Sequence, residues 1–349
     1  MRIGIDTTCM GQDPAGVGTF AGEVIKELEG RKDLELVLFK AKDDSWRRHL
    51  DLYVEIRDAK IDVLWQLGGW LPLFIPRRIK TIQTVHDLIS YDHPEWFPQS
   101  GISRFWSQHI RVPRAILSAN VVHAISKFTA SQLERFSLVG DKIVTAYQGA
   151  DVPEDIAQDR LPDELAAQNY LVMVGTIEPR KNIEAAIEAF KLVTDKHEHD
   201  KFVIIGKKGW GTDKVMKVIE NAGESVRYLG YVDDATKFAI IKNARGLVMT
   251  SCEEGFGRPL VEAMRLGVPV MASATSGMKE VAEDAGIMVF VDNKQKIAHG
   301  MERLLYHDEL RGKLINLGHE RVKRFDTKRM VDDILEKLLE CDDKDGLSD

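Results

Sequence analysis

Residues 251–266 hold the densest set of groups that could act on a ligand. A short β-like run, Gly246–Met249, leads into Ser251-Cys252-Glu253-Glu254-Gly255-Phe256-Gly257-Arg258. Pro259 then opens a helix pattern, Pro259–Leu266, and Gly267 closes it, the positions that proline and glycine favour. That helix is apolar nearly all round (Leu260, Val261, Ala263, Met264, Leu266), so it belongs in a core. Glu262 is its one acid, and a buried carboxylate is costly unless it is paired or hydrogen-bonded. A ligand rich in hydroxyls would satisfy it. Gly255 and Gly257 permit unusual backbone angles and close ligand approach. Their amides, with the helix N-terminus, would form an anion site suited to a diphosphate. Glu254 ends the strand and faces the same place. The plainer alternative pairs Glu262 with a neighbour such as Arg265 and leaves the glycines to shape a turn.

A second cluster follows the run Tyr170–Gly175: Thr176-Ile177-Glu178-Pro179-Arg180-Lys181-Asn182, then a helix. Arg180 and Lys181 there could neutralise a departing diphosphate, an electrostatic role that is often the largest catalytic contribution. Arginine grips phosphate bidentately and lysine acts as a point charge. A charged surface turn is the alternative. In the first half, Thr84-Val85-His86-Asp87-Leu88 places His86 at a strand end, where it could donate a hydrogen bond or proton near a reacting centre. A lone histidine is more often structural. Asp13-Pro14-Ala15-Gly16-Val17-Gly18-Thr19 sets a Gly-x-Gly before a helix, a weak phosphate signal of which Gly18 is the better candidate.

The elements that must position these groups alternate along the chain. Strand-like runs lie at Arg2–Asp6, Leu34–Phe39, Val63–Trp65, Thr81–His86, Val121–Ile125 and Ile143–Thr145, with helix patterns such as Val17–Glu29 and Lys127–Phe136 between them. Asp151–Asn169 is acidic, carries Pro153 and Pro162, and reads as a linker. The alternation restarts with Tyr170–Gly175, Phe202–Gly206, Val226–Leu229, Gly246–Met249, Val268–Met271 and Ile287–Phe290, and helices at Ile183–Thr194 and Asp234–Asn243. This predicts an α/β protein of two Rossmann-like domains whose parallel sheets face a cleft, with ligands beyond the strands' carboxyl ends. The domains expected are 1–155 and 165–325, with a helix near 327–341 returning to the first. The tail Leu339–Asp349 reads as frayed.

Glu-Gly-Phe-Gly-x-Pro-x-x-Glu-Ala at 254–263, followed by Gly-Val-Pro-Val at 267–270, resembles the signature of the retaining, GT-B-fold glycosyltransferases called group 1. The segment 175–182 is similar to that family's phosphate-binding turn, and Thr84-Val85-His86-Asp87-Leu88 to its Val-x-His-Asp-Leu strand end, where the family often has a histidine. The resemblance implies that Glu262 binds the ribose hydroxyls of a donor nucleotide. It implies that Glu254 and the amides of Gly255, Phe256 and Gly257 hold the donor sugar. Lys181 matches the family lysine. Many relatives carry an arginine where Thr176 stands, which leaves open whether Arg180 supplies that charge. Arg258 departs from an apolar norm. It would either add a cation near phosphate or acceptor, or lie exposed. Tyr231 and Val232, in a segment like the strand and turn beside the base, would read it through their backbone. Ser126, in a Ser-x-x-Thr turn, would cap a helix.

The activity so implied is transfer of a hexose, with retention, from a nucleoside diphosphate sugar to a saccharide or lipid-linked acceptor of the cell envelope. The Glu-Pro-Arg-Lys-Asn variant leans towards GDP-mannose, with UDP-sugars live. No metal or other cofactor is expected. A nucleotide-sugar epimerase, a sugar phosphorylase, a dinucleotide oxidoreductase and a non-catalytic sugar-nucleotide-binding protein are the rivals.

A length of 349 residues suits two domains, and the net charge of −7 argues against nucleic acid. Residues 77–142, however, carry nine Lys/Arg against five Asp/Glu. Trp70, Phe74, Phe105 and Trp106 lie near or among Arg77, Arg78, Lys80, Arg104, Arg111 and Arg114, a composition suited to peripheral contact with an anionic membrane or to ordinary snorkelling surface. Cys9, Cys252 and Cys341 are too separated for a disulfide framework or metal site, no apolar run is long enough to span a bilayer, and Met1–Asp6 reads as a strand rather than a signal peptide. A cytoplasmic setting is expected.

Overall fold

The structure, a computed structural model, describes the chain except Cys9 and residues 11–15, 41–46, 98–105, 137, 195–198 and 346–349, and except the side chains of 47–49, 107–108, 158 and 342–345. It forms two compact units. One comprises Met1–Pro94, Gln99–Ala150 and Phe325–Asp349, the other Glu95–Pro98 and Asp151–Arg324. Glu95–Pro98 therefore belongs with the second unit, where the Trp210 indole N–H donates to the Trp96 carbonyl and the Phe97 ring packs 5.3 Å from that of Trp210.

The first unit is built on β1 (Arg2–Asp6), β2 (Glu35–Phe39), β3 (Val63–Gln66), β4 (Lys80–Val85), β5 (Val121–Ala124) and β6 (Ile143–Thr145), all parallel, in the order β2-β1-β3-β4-β5-β6. Successive side chains on a strand point to opposite faces. Val63 and Trp65 accordingly join Ile3, Ile5 and Phe20 on one face, and Leu64 joins Ile56 and Val122 on the other. The helix Val17–Glu29 presents Phe20, Ala21, Val24, Ile25 and Leu28 to the first of these faces. Helix Thr327–Asp345 adds Met330, Val331, Ile334 and Leu338 to the same cluster. It runs on to Asp345, so the expected fraying at Leu339 is not seen: the ion pair of Lys337 with Glu340, 3.2 Å apart, lies across that point of the helix.

The second unit carries β7 (Tyr170–Val174), β8 (Lys201–Ile205), β9 (Val226–Gly230), β10 (Gly246–Met249), β11 (Val270–Ser273) and β12 (Gly286–Val289), again all parallel, in the order β12-β11-β10-β7-β8-β9. From β7 the chain winds outward through β8 and β9, then returns to β7's other edge with β10. Neighbours whose connections leave in opposite directions open a crevice at their carboxyl ends. The loops after β7 and β10 carry the two charged motifs.

Several boundaries moved. The run expected from Val268 starts at Val270, because Pro269 has no N–H for the ladder and contributes only its carbonyl, to Leu247 N at 3.0 Å. The helix expected to reach Phe136 ends at Leu133. The supposed linker 151–169 holds two tight turns, Gln158–Arg160 and Asp163–Leu165, and buries Leu165. Three-residue turns are too short to leave a periodic signature.

A polar chain crosses the first unit's core. Trp65 Nε1 donates to Thr84 Oγ1 at 3.0 Å, Thr84 Oγ1 lies 3.2 Å from His123 Nδ1, and His123 Nε2 lies 2.8 Å from the Ala146 carbonyl. A carbonyl only accepts, so Nε2 carries the hydrogen and Nδ1 accepts from threonine. Full burial, reinforced by His86 nearby and opposed by the Ala146 hydrogen bond, pulls the His123 pKa down from 6.5 to about 4. The unfolded chain therefore binds the extra proton first. Stability conferred by neutral His123 is complete above pH 6.5 and is lost as pH falls through about 4, by up to about 3 kcal/mol. His123→Asn should lower stability at pH 7 by about 1–3 kcal/mol and flatten the decline between pH 6.5 and 4. Urea unfolding of both proteins across that range checks this; an equally steep decline in the variant contradicts it.

Candidate active site

In the crevice of the second unit one carboxylate gathers most of the charge. Glu254 is 7% exposed. Its Oε1 accepts from Lys181 Nζ at 2.5 Å and Ser251 Oγ at 2.7 Å, and its Oε2 from Arg180 NH1 at 2.6 Å. Burial alone would raise the Glu254 pKa, but Lys181 and Arg180 outweigh it and hold the group at about 2. The two cations expected to face a diphosphate thus stand on either side of the acid expected to face the sugar.

Local structure fixes this meeting. Pro179 opens a short 3-10 turn, Pro179–Lys181, and Asn182 ends it in the left-handed region (φ 53°), a conformation asparagine tolerates better than most residues. The β10 loop staples the turn: Cys252 N–H donates to the Arg180 carbonyl at 2.7 Å, and Thr250 Oγ1 reaches the Lys181 and Asn182 carbonyls at 3.3 Å. From behind, the loop after β8 clasps it, with Ile177 N–H on Lys207 O and Gly209 N–H on Ile177 O, both at 2.9 Å. Thr176 is half-buried, and its methyl occupies the space a side chain on Gly209 would need.

Residues 254–257 are held by the next helix, Ser276–Ala282. Ser276 Oγ accepts from Glu254 N–H at 3.1 Å, and Gly277 N–H donates to Glu254 O at 3.0 Å. An added Cβ on Gly277 would lie 2.2 Å from the Gly255 carbonyl oxygen, so only glycine lets the segments approach this closely. Of the two glycines expected to need unusual angles, only Gly257 does, at φ 112°, where it precedes the helix Arg258–Arg265. Gly255 lies outside the left-handed region and serves the close approach instead. Phe256 is buried.

Glu262 is 4% exposed. Its salt-bridge partners are Lys237, with Nζ at 3.5 Å, and Arg258, with NH2 at 4.0 Å, both longer than a hydrogen-bonded ion pair; the plainer alternative of a neighbouring partner is thus met in part, by Arg258 rather than Arg265. Arg258 is 8% exposed, which removes the reading of it as an exposed residue. Tyr231, 64% exposed, and half-buried Val232 follow β9 beyond Gly230.

In the first unit, His86 is half-buried, with Nε2 2.7 Å from the Leu67 carbonyl and its ring edge-on to Phe20 at 4.9 Å. That Nε2 hydrogen is therefore engaged by the protein. Ser126 caps the helix Lys127–Leu133 by accepting from Thr129 N–H at 3.0 Å, and Thr129 Oγ1 donates to the His86 carbonyl at 3.2 Å. Gly18 sits inside the first turn of its helix, and Gly16 (φ 70°) caps it. Asp13, Pro14 and Ala15 lie outside the described residues. Asp87 Oδ1 accepts from Ile89 N–H at 3.1 Å, closing a local turn.

Sequence reasoning missed Ser251, Ser276, Lys237 and buried Glu178. Ser251 and Glu178 were legible as neighbours of the motifs. Ser276 and Lys237 sit on other helices and had no such signal.

Two parallel α/β units, the second with a crevice lined by paired acids and bases, define a two-domain Rossmann-like protein with a charged candidate site. A family model described as "Glycosyl transferases group 1" matches residues 157–321, and one described as "Glycosyltransferase Family 4" matches residues 15–153. The O-antigen chain mannosyltransferase B of Escherichia coli is 30% identical over 264 residues, covering 72% of this chain and 68% of that protein. The phosphatidyl-myo-inositol mannosyltransferase of Mycobacterium leprae is 31% identical over 198 residues, 53% of this chain and 52% of that one. The Escherichia coli serotype-specific mannosyltransferase WbdA is 26% identical over 63% of this chain, which spans 29% of its length. Among solved structures, Anabaena HepE in complex with UDP-glucose superposes with a TM-score of 0.78 at 19% identity, covering 97% of this chain and all of that one. Sucrose-phosphate synthase from Thermosynechococcus elongatus does so with 0.76 at 18%, covering 95% and 96%. The chain belongs to the group 1 glycosyltransferases of GT-B type.

The Glu254 pKa is depressed from 4.5, so stability arising from its ion pairs is present above pH 4.5 and is lost as pH falls through about 2. Glu254→Gln leaves two cations without their shared carboxylate and should cost about 3–5 kcal/mol at pH 7. The gap from wild type should narrow as pH drops from 4.5 towards 2. Chemical unfolding at pH 7, 4 and 2.5 checks this; a gap independent of pH contradicts it.

Proposed function

We propose that the enzyme transfers a hexose, with mannose from GDP-mannose the best reading, from a nucleoside diphosphate sugar to a saccharide or lipid-linked acceptor in cell-envelope polysaccharide synthesis, with retention at the anomeric carbon. The observation that carries the donor reading is the pairing of half-buried Arg180 and Lys181 with buried Glu254 at the β7/β10 crevice, together with the glycine-led helix start at 257–258. The two cations and the helix N-terminus would stabilise charge on the departing diphosphate. Glu262, buried with Lys237 and Arg258 only loosely paired to it at 3.5 and 4.0 Å, would take the ribose hydroxyls. Gly255, Phe256, Gly257 and Thr176 would line the sugar and phosphates, and the backbone at Tyr231 and Val232 the base. The acceptor oxygen bonds to the anomeric carbon as its bond to the diphosphate breaks, and the acceptor's proton leaves with the departing phosphate. His86 would donate a hydrogen bond or proton near the reacting centre, and Gly18 would bind the donor in a glycine loop beside its phosphate and the acceptor. No metal is required in this reading, because the protein's own cations meet the phosphates.

Mannose is supported by the names of the relatives, and a nucleotide-sugar donor by the HepE complex with UDP-glucose. Among the described residues no helix is long and apolar enough to cross a membrane. Exposed Phe74 and Trp106, near the basic residues of 77–114, support peripheral contact with an anionic bilayer at the cytoplasmic face. Trp70 instead packs against the core, and Arg104 and Phe105 lie outside the described residues.

Thermal unfolding with GDP, UDP, ADP, dTDP and their sugars, for wild type and Glu262→Ala, tests the donor. A ligand at 100 times its Kd adds about 2.7 kcal/mol. Selective stabilisation by GDP and GDP-mannose, absent in the variant, is the expected result. Selectivity for UDP-sugars replaces the donor, and no response to any nucleotide overturns the reading. Turnover with the accepted donor should survive EDTA and give a product of unchanged anomeric configuration by NMR.

A further inference from the structure

The turn that carries Arg180 contains a second buried acid. Glu178 is 3% exposed, in extended backbone (φ −154°, ψ 158°), immediately before Pro179. A carboxylate this deep must be paired. Arg180 Nε stands 2.7 Å from Glu178 Oε1. Elsewhere on the same guanidinium, NH1 donates to Glu254 Oε2 at 2.6 Å and to the Glu253 carbonyl at 3.2 Å. The group is therefore gripped at two of its nitrogens by carboxylates from two different loops, while Cys252 N–H pins the Arg180 carbonyl beneath it.

The two cations differ in what they need. An ammonium is a compact point charge that serves from many orientations. A guanidinium is planar, so its orientation fixes the direction of every N–H it can offer a phosphate. A free arginine also has rotamer entropy to lose on binding. Gripping Nε and NH1 in advance removes that loss and sets the plane.

We propose that Glu178 is a positioning residue of the donor site, fixing the Arg180 guanidinium so that it and Lys181 present a preset pair to the phosphates of a nucleoside diphosphate. The inference rests on the nucleotide-sugar reading above. It also opposes the simplest electrostatic expectation. Glu178, Glu254, Arg180 and Lys181 sum to zero charge. If Glu178 were only a counter-charge, removing it would leave the cluster positive and strengthen phosphate binding. If it positions Arg180, removing it weakens phosphate binding, and only while Arg180 is present.

Calorimetric titration of GDP, GMP, UDP and UMP into wild type, Glu178→Ala, Arg180→Ala and the double variant separates these cases. The expected result is a diphosphate affinity about tenfold lower in Glu178→Ala, with the monophosphate affected less, so that the diphosphate-to-monophosphate ratio falls. Arg180→Ala should show the same fall, and the double variant no more than either single change. Should Glu178→Ala fail to fold, Glu178→Gln, which keeps an acceptor for Nε, enters the same cycle with an expected loss of about threefold that vanishes in the Arg180→Ala background. Unchanged or tighter diphosphate binding in the Glu178 variants, or losses that add to that of Arg180→Ala, overturn the inference alone. A wild type that binds none of the four nucleotides overturns the nucleotide-sugar reading and this inference with it.

Discussion

A carboxylate taken out of water must recover its solvation from fixed groups, and in this protein Glu254 does so from two cations on the neighbouring turn and a hydroxyl on its own loop. The rest of the second unit's crevice is arranged around that requirement. For Arg180 and Lys181 to reach one carboxylate, the turn after β7 and the loop after β10 must lie side by side. That follows from the adjacency of β7 and β10 at the point where the winding reverses. The acid is thus the electrostatic lock between two loops as well as a group placed to meet a ligand. An ionised carboxylate offers about four lone-pair sites, and three are already engaged by Lys181, Ser251 and Arg180.

Close approach of backbone to backbone is the second constraint. Gly277 brings its helix against the carbonyl of Gly255, and the helix then binds the loop at both the Glu254 N–H and carbonyl. Ser276 pays for this contact with a left-handed backbone (φ 52°), a conformation that costs a non-glycine residue on the order of 1 kcal/mol. Strain at one residue is offset by two hydrogen bonds that hold the loop rigid. The first unit uses a comparable device at lower charge. Thr129 anchors the His86 carbonyl and Leu67 engages its ring, so the strand end carrying His86 is held through backbone and side chain alike.

The fold tolerates wide sequence change: relatives near 19% identity keep it over nearly the whole chain. Alternation of β-branched strands with amphipathic helices is a coarse pattern, and many sequences satisfy it. The same coarseness limits what could be read at the edges of elements. Pro269 shortened β11 because a missing N–H matters to a ladder and not to a hydropathy pattern. The turns at 158–160 and 163–165 escaped notice because three residues have no period.

By itself the sequence determined two α/β units, the helices Val17–Glu29 and Ile183–Thr194, and the candidate residues at 175–182 and 254–262, because hydrophobic period, proline and glycine are local signals. It also showed that Glu262 would be buried, since most of its neighbours on the helix are apolar. Only the tertiary structure decided who meets whom. Arg180 and Lys181 lie more than seventy positions from Glu254, and Lys237 and Ser276 arrive on helices of their own. No local property of a chain records such pairings; they come from strand order, which brings distant loops to one end of one sheet. The burial of Arg258 and Glu178 was likewise invisible in composition: each has an oppositely charged sequence neighbour, Glu262 and Arg180, but whether water reaches such a local pair is decided by the packing around it.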